Sequence, residues 1–133
     1  MGTLVDTSVL IAAQRGDIDL AELLAKQGAF NVATSTICVS DLLHGPHRMT
    51  NAMARARAER SAEKVLTGLS IVSFDLEIAR LHARLSADLA ARGKPIGAHD
   101  LIVAATALSL DYQVATLDRR SFPKIPGLDV VYW

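Results

Sequence analysis

Short apolar runs alternate with longer stretches of helical character along this chain, and that alternation most constrains its fold. Residues 3–5 form a short β-branched and apolar run, which ends at the helix-capping residues Asp6, Thr7 and Ser8. Helical spacing of apolar residues over 18–26 ends at Gly28, and residues 30–33 read as a second strand. Strands that alternate with helices favour a three-layer α/β/α sandwich with a mainly parallel central sheet.

The same patterns predict the remaining elements. Residues 34–36 cap a helix that breaks at Gly45 and Pro46. Further helices are predicted over residues 51–69, 76–92 and 97–110, and further strands over residues 71–74, 114–117 and 130–132. The helix over 97–110 is the most apolar, so we expect it to lie centrally. Because 133 residues, half of them hydrophobic, suit one core, we expect a single domain over residues 1–133.

Composition excludes several classes of protein. The longest apolar stretches are far shorter than a membrane span, and residues 1–6 lack the features of a secretion signal, so we expect a cytoplasmic protein without a membrane partner. The lone cysteine, Cys38, excludes an internal disulfide and a cysteine-built zinc site. Fourteen basic and fourteen acidic side chains cancel, so the overall charge neither favours nor opposes a nucleic-acid partner.

Four aspartates occupy matching places in the predicted units. Asp6 directly follows the first strand and Asp118 directly follows the fourth, whereas Asp41 and Asp100 lie in the first turns of helices that begin on the same side. Ligands of parallel sheets bind beyond the carboxyl ends of the strands. We therefore predict that these four carboxylates converge there, and we call this group the acidic rim.

Clustered carboxylates repel one another, and at neutral pH they need protons or a bound cation. An oxygen-rich set favours Mg²⁺ or Mn²⁺, and two such ions can stabilise the attacking water and the leaving oxygen in phosphodiester cleavage. Thr7, Ser8 and Thr116 are placed to hydrogen-bond the carboxylates. Each acid also has a purely structural alternative: Asp6 as a helix cap, Asp41 and Asp100 as first-turn carboxylates, and Asp118 as a partner of Arg119 or Arg120.

Four segments, each containing one of these aspartates, carry a resemblance to a known family. They are residues 5–10, 39–45, 96–105 and 115–122, followed by Ile125-Pro126-Gly127-Leu128 and a run to Trp133. In this order and spacing they resemble the acidic motifs of the PIN domains, in particular the VapC toxins of bacterial toxin–antitoxin pairs. The resemblance covers essentially the whole chain.

The resemblance implies a Mg²⁺- or Mn²⁺-dependent endoribonuclease that cuts transfer or ribosomal RNA. It also implies a homodimer and a small DNA-binding antitoxin of the VapB type, whose arginine enters the acidic rim. The catalytic, metal-holding residues would be Asp6, Asp41, Asp100 and Asp118, with Thr7, Ser8 and Thr116 behind them. The candidate RNA contacts are Arg48, Arg55, Arg119 and Arg120.

One residue departs from the family's pattern. The family normally has Glu where this chain has Asp41, so the carboxylate is one methylene shorter. The alternative to an active nuclease is therefore a catalytically weak or inactive PIN domain that binds RNA or an antitoxin. A dehalogenase-like phosphatase fits poorly, because that family needs a second Asp two residues after the first, where this chain has Ser8.

Overall fold

The computed structural model describes residues 2–26 and 31–133, in which strands and helices alternate as predicted. The elements in chain order are β1 (Thr3–Val5), α1 (Thr7–Arg15), α2 (Leu20–Lys26), β2 (Val32–Ser35), α3 (Thr36–His47), α4 (Ala52–Leu66), β3 (Ser70–Val72), α5 (Leu76–Ala91), α6 (Ala98–Leu110), β4 (Gln113–Thr116) and β5 (Val130–Tyr132). A short 3-10 helix, α7 (Phe122–Lys124), which the sequence did not predict, precedes β5.

The strands form one sheet in the order β3-β2-β1-β4-β5, and every strand pair is parallel. The chain proceeds from β1 outward to β3, then crosses back to add β4 and β5 on the other side of β1. Because crossovers between parallel strands are right-handed, this reversal of direction places helices on both faces of the sheet. The predicted α/β/α class is confirmed, and the direction reverses between β1 and β4.

The core lies around the two central strands. Leu4, Val5 and Val114 are fully buried, as expected for a sheet covered on both faces. As predicted, α6 is the most apolar helix, and it has more buried residues than any other described helix. Its small buried residues, such as Ala104 and Ala107, lie in the core, where the helix contacts β1 and β4. This packing fixes the position of the first turn of α6, which carries Asp100.

The predicted break at Gly45 and Pro46 is wrong. Helix α3 continues through both residues to His47, and Pro46 is buried inside it. Pro46 lacks an N–H and so removes one intrahelical hydrogen bond, but only His47 of the helix lies beyond it. The backbone N–H of Arg48 still reaches the carbonyl of His44 at 3.2 Å, so the final turn remains closed.

The predicted cap of α3 is confirmed, whereas the strand before it and the position of Asp41 differ from the prediction. Part of the strand predicted over 30–33 lies outside the described residues, and β2 extends to Ser35, because Thr34 pairs with Val5 on one side and Ile71 on the other. Ser35 then caps α3, accepting a hydrogen bond from the backbone N–H of Ile37. Asp41 is consequently the sixth residue of α3 and lies in its second turn, not its first.

Smaller differences occur at other element ends. Strands β3 and β4 each begin one residue earlier than predicted, at Ser70 and Gln113, and β4 ends at Thr116. Leu117 therefore falls in the loop after β4, where its side chain is exposed. Within residues 2–26 and 31–133, the helices are all too short or too polar to span a bilayer.

Candidate active site

Asp6 lies at the carboxyl end of β1, beside the point where the strand order reverses. It is the N-cap of α1, and its side chain is almost completely buried. Its Oδ1 accepts hydrogen bonds from the Ser8 hydroxyl at 2.6 Å and from the Val9 backbone N–H at 3.2 Å. Its Oδ2 accepts one from the Thr116 hydroxyl at 2.5 Å. The cap expected as the structural alternative is therefore present, but it uses only one of these bonds.

Burial raises the pKa of the Asp6 carboxyl above its ordinary value, and the negative charge of Asp100 raises it further. The hydrogen bonds from Ser8, Thr116 and Val9 act in the opposite direction without cancelling the effect of burial. The ionised form of Asp6 is therefore less favourable here than it is in water, and a nearby cation would stabilise it.

The loop after β4 is joined to Asp6 through two hydroxyl groups. The Ser8 hydroxyl accepts a hydrogen bond from the Leu117 backbone N–H at 3.0 Å, and the Thr116 hydroxyl accepts one from the Asp118 N–H at 2.9 Å. The two hydroxyl oxygens lie 3.3 Å apart. Two of the hydroxyl residues predicted from the sequence therefore hold Asp6 and the Asp118 loop together.

Asp118 and Asp100 complete this part of the rim in different ways. Asp118 Oδ1 accepts a hydrogen bond from the Arg120 backbone N–H at 2.9 Å, and the Arg120 Nε lies 3.4 Å from it, so the predicted arginine pairing is present. Asp100 lies in the first turn of α6, as expected. Its side chain makes no hydrogen bond within residues 2–26 and 31–133, and its charge acts on Asp6.

Asp41 has a separate set of partners. Its Oδ2 accepts a hydrogen bond from the Thr7 hydroxyl at 3.0 Å, and its Oδ1 lies 2.8 Å from His99 Nδ1. The Asp41 side chain is one-quarter exposed. The sequence left His99 unassigned, and its position next to Asp100 was the only available indication of a role. The contact joins α3 to α6, and sequence spacing cannot predict it.

The chemical type of the donor atoms suits a hard divalent cation, because Mg²⁺ and Mn²⁺ prefer oxygen ligands such as carboxylates. Among the described residues, however, no group of three or more His, Cys, Asp or Glu side chains is arranged to hold a metal ion. The Thr116 hydroxyl hydrogen-bonds both Asp6 and the backbone of Asp118, and the charge of Asp100 acts on Asp6. Asp41 pairs instead with His99. The metal-ligand assignment therefore stays a prediction.

The four candidate RNA contacts have different environments. Arg55 is engaged by Glu59 at 2.9 Å and by His47 at 2.7 Å, whereas Arg48 is exposed at the end of α3. Arg120 is largely exposed beside Asp118. The guanidinium of Arg119 lies over the ring of Tyr132, a contact the sequence did not indicate. Arg119 and Arg120 are the two arginines that directly follow Asp118, in the loop after β4.

Asp100→Asn is expected to raise the melting temperature in EDTA by about 2–4 °C, the shift that roughly 1 kcal/mol produces in a domain of this size. The substitution removes a negative charge facing Asp6 and breaks no hydrogen bond of the described structure. Thermal unfolding followed by circular dichroism measures the change, with Asp17→Asn, at the opposite end of α1, as a control without effect. A lower melting temperature for Asp100→Asn in EDTA would contradict repulsion within the rim.

Comparison with known proteins agrees with this geometry. The PIN domain family matches residues 3–128. Ribonuclease VapC1 of Rickettsia felis is 33% identical over 131 residues, which cover 98% of this chain and 96% of that protein. A tRNA(fMet)-specific endonuclease VapC of Salmonella typhimurium is 29% identical over 109 residues, covering 78% of this chain and 80% of that protein. The DNA-bound VapBC structure from the same species aligns with a TM-score of 0.89 and 23% identity over 100% of this chain and 98% of that one.

The parallel sheet with buried Asp6 at its switch point, together with these matches, shows that the chain belongs to the PIN domain family. Within that family it is a ribonuclease of the VapC type.

Proposed function

We propose that this chain is the toxin of a toxin–antitoxin pair, a Mg²⁺- or Mn²⁺-dependent endoribonuclease that hydrolyses RNA phosphodiester bonds at the acidic rim. The observation that carries the proposal is the buried Asp6 carboxyl, whose pKa is raised by burial and by the charge of Asp100. A buried acid of this kind, at the switch point of a parallel sheet, suits a site that binds a cation.

Asp6, Asp100 and Asp118 are the residues that would hold the cation, with Asp41 as the fourth carboxylate of the rim. A bound Mg²⁺ or Mn²⁺ supplies Lewis-acid chemistry, lowering the pKa of water and stabilising charge on the phosphate. The chain's own residues orient this centre. Ser8 and Thr116 fix both oxygens of Asp6, and Thr7 and His99 fix Asp41. Arg48, Arg55, Arg119 and Arg120 are the proposed contacts to RNA.

Transfer RNA is the proposed substrate class, with ribosomal RNA as the other structured RNA that the site could cut. Support comes from the tRNA(fMet)-specific relative of Salmonella typhimurium.

A VapB-type, DNA-binding antitoxin is the proposed partner, because the structural neighbours include VapBC complexes bound to DNA. An antitoxin arginine would pair well with the carboxylates of the rim. We also propose that the chain acts in the cytoplasm as a homodimer. The exposed side chains of Met53 and Leu76 offer apolar surface for the association of two copies.

Product ends test the proposed chemistry. Purified protein is incubated with total bacterial RNA, or with DNA as a control, in Mn²⁺, and the fragments are mapped and end-labelled. We expect discrete RNA fragments without 2′,3′-cyclic phosphates, because attack by water does not use the ribose hydroxyl. Cyclic ends would contradict the proposed chemistry, and degradation of DNA at a similar rate would contradict the choice of substrate.

The second candidate is a PIN domain that binds RNA or an antitoxin without cutting. It is favoured by the state of Asp41, whose shorter carboxylate is already paired with Thr7 and His99. The same incubation separates the two functions, because a binding module leaves the RNA intact in every cation while retaining affinity for it. Cleavage by the wild type would exclude this candidate.

A further inference from the structure

A planar cation lies on an aromatic ring beside the acidic rim. The guanidinium carbon of Arg119 is 4.2 Å from the centroid of the Tyr132 ring. Arg119 is exposed, and Tyr132 is partly buried. A guanidinium group is flat and weakly hydrated, so it stacks on aromatic faces while its other face stays available.

The register of the sheet shows where this pair lies. Tyr132 of β5 pairs with Thr116 of β4, and the Thr116 hydroxyl donates a hydrogen bond to Asp6. Neighbouring strands are about 4.8 Å apart, so Tyr132 stands one strand away from a residue that holds the central carboxylate. Arg119 directly follows Asp118 in the loop after β4. The pair therefore borders the acidic rim on the β5 side.

Charge and exposure distinguish Arg119 from its neighbour. Arg120 is paired with Asp118, whereas Arg119 has no carboxylate partner within residues 2–26 and 31–133. Leu117, in the same loop, is 39% exposed. Beside the rim the surface thus offers a flat cation stacked on an aromatic ring, and the loop that carries Arg119 also exposes Leu117. Phosphate binding alone would need only the charge.

We propose that Arg119 and Tyr132 form a stacking platform for an unpaired nucleobase of the RNA, next to the phosphate that the acidic rim cleaves. This inference rests on the proposed function and assigns a subsite within it. Bases of single-stranded RNA stack on aromatic rings and on guanidinium planes, and such stacking tolerates different bases. The platform would select RNA segments whose bases are free, such as loops, over paired stems.

Binding without cleavage tests the platform. The probes are a fluorescently labelled oligoadenylate of about eight nucleotides and an abasic ribose-phosphate oligomer of equal length and charge, both titrated with protein in EDTA. Fluorescence polarisation gives the two dissociation constants. Because both probes carry the same phosphates, their ratio reports contacts with bases. For wild type we expect the oligoadenylate to bind about tenfold more tightly, the gain typical of one stacked base.

The variants separate stacking from charge. Arg119→Lys keeps the positive charge and loses the plane, so we expect it to lose most of the preference while binding the abasic oligomer as well as wild type does. Tyr132→Leu should also lose the preference, and Tyr132→Phe should keep it. Arg15→Gln, at the far end of α1, is the control for loss of a cation and should leave the preference unchanged. Arg119→Lys changes an exposed side chain, so the test does not depend on how Tyr132→Leu folds.

Two results would overturn the platform: equal binding of both probes by the wild type, or an unchanged preference in Arg119→Lys and Tyr132→Leu. Failure of the proposed function is separate from either, because the binding assay in EDTA requires no catalysis. If the protein prefers the base-bearing probe but never cuts RNA, the stacking platform is supported and the nuclease function is contradicted. If the protein cuts RNA but binds both probes equally, the nuclease function is supported and the stacking platform is contradicted.

Discussion

Asp6→Asn is expected to lower the rate of RNA cleavage by about a thousandfold or more while leaving the fold intact. The substitution removes the charge of the central carboxylate, on which we propose that cation binding and water activation depend. It keeps an oxygen that can accept from the Ser8 hydroxyl and the Val9 N–H. Asn is also as good an N-cap as Asp, so α1 should still begin at Thr7.

The measurement is the initial rate of RNA cleavage in Mn²⁺, together with circular dichroism and a melting curve for each protein. Asp17→Asn makes the same chemical change just beyond α1, about 13 Å along the helix from the rim, and should cut as fast as wild type. Wild-type activity in Asp6→Asn would remove Asp6 from the active site. An unfolded Asp6→Asn would instead show that its hydrogen bonds are needed for the fold.

Asp41→Ala is expected to lower the cleavage rate by about a hundredfold. The change deletes the acceptor for Thr7 and His99, and hydrogen bonds to a charged group are worth roughly 1.5–3 kcal/mol each. Without them α1, α3 and α6 lose a polar connection at the rim. Asp41→Glu restores a carboxylate of the length that the family resemblance implies, and we expect it to stay within about tenfold of wild type.

Rates for the three proteins, measured on one RNA in Mn²⁺, decide what Asp41 contributes. If Asp41→Ala cuts as fast as wild type, this carboxylate is not part of the active site and the rim has three functional acids. If Asp41→Glu is as slow as Asp41→Ala, the contacts with Thr7 and His99, which require the shorter side chain, matter more than the presence of a carboxylate.

The features that the sequence predicted well depend on local pattern. Alternating strands and helices determine the class of fold, and Asp6 and Asp118 could be placed because each follows a strand in sequence. The parallel arrangement then brings those strand ends to one edge. Asp100 was placed equally well, because Gly97 separates it from the preceding helix and it falls in the first turn of α6.

The features that the sequence predicted poorly depend on contacts between distant elements. Thr34 looks like a capping residue, but pairing with β1 and β3 makes it part of β2, and Ser35 is the residue that caps α3. Pro46 looks like a helix breaker, but α3 continues through it for one more residue, to His47. The contacts of His99 with Asp41 and of Arg119 with Tyr132 join separate elements, and no spacing rule indicates them.

The dependence of the cleavage rate on free Mn²⁺ tests whether a cation held at the acidic rim gives this chain its ribonuclease activity. We expect no cleavage in EDTA, a rate that saturates as Mn²⁺ rises, and a curve for Asp100→Asn displaced to higher Mn²⁺ or abolished. Cleavage that continues in EDTA, or identical curves for wild type and Asp100→Asn, would contradict this expectation.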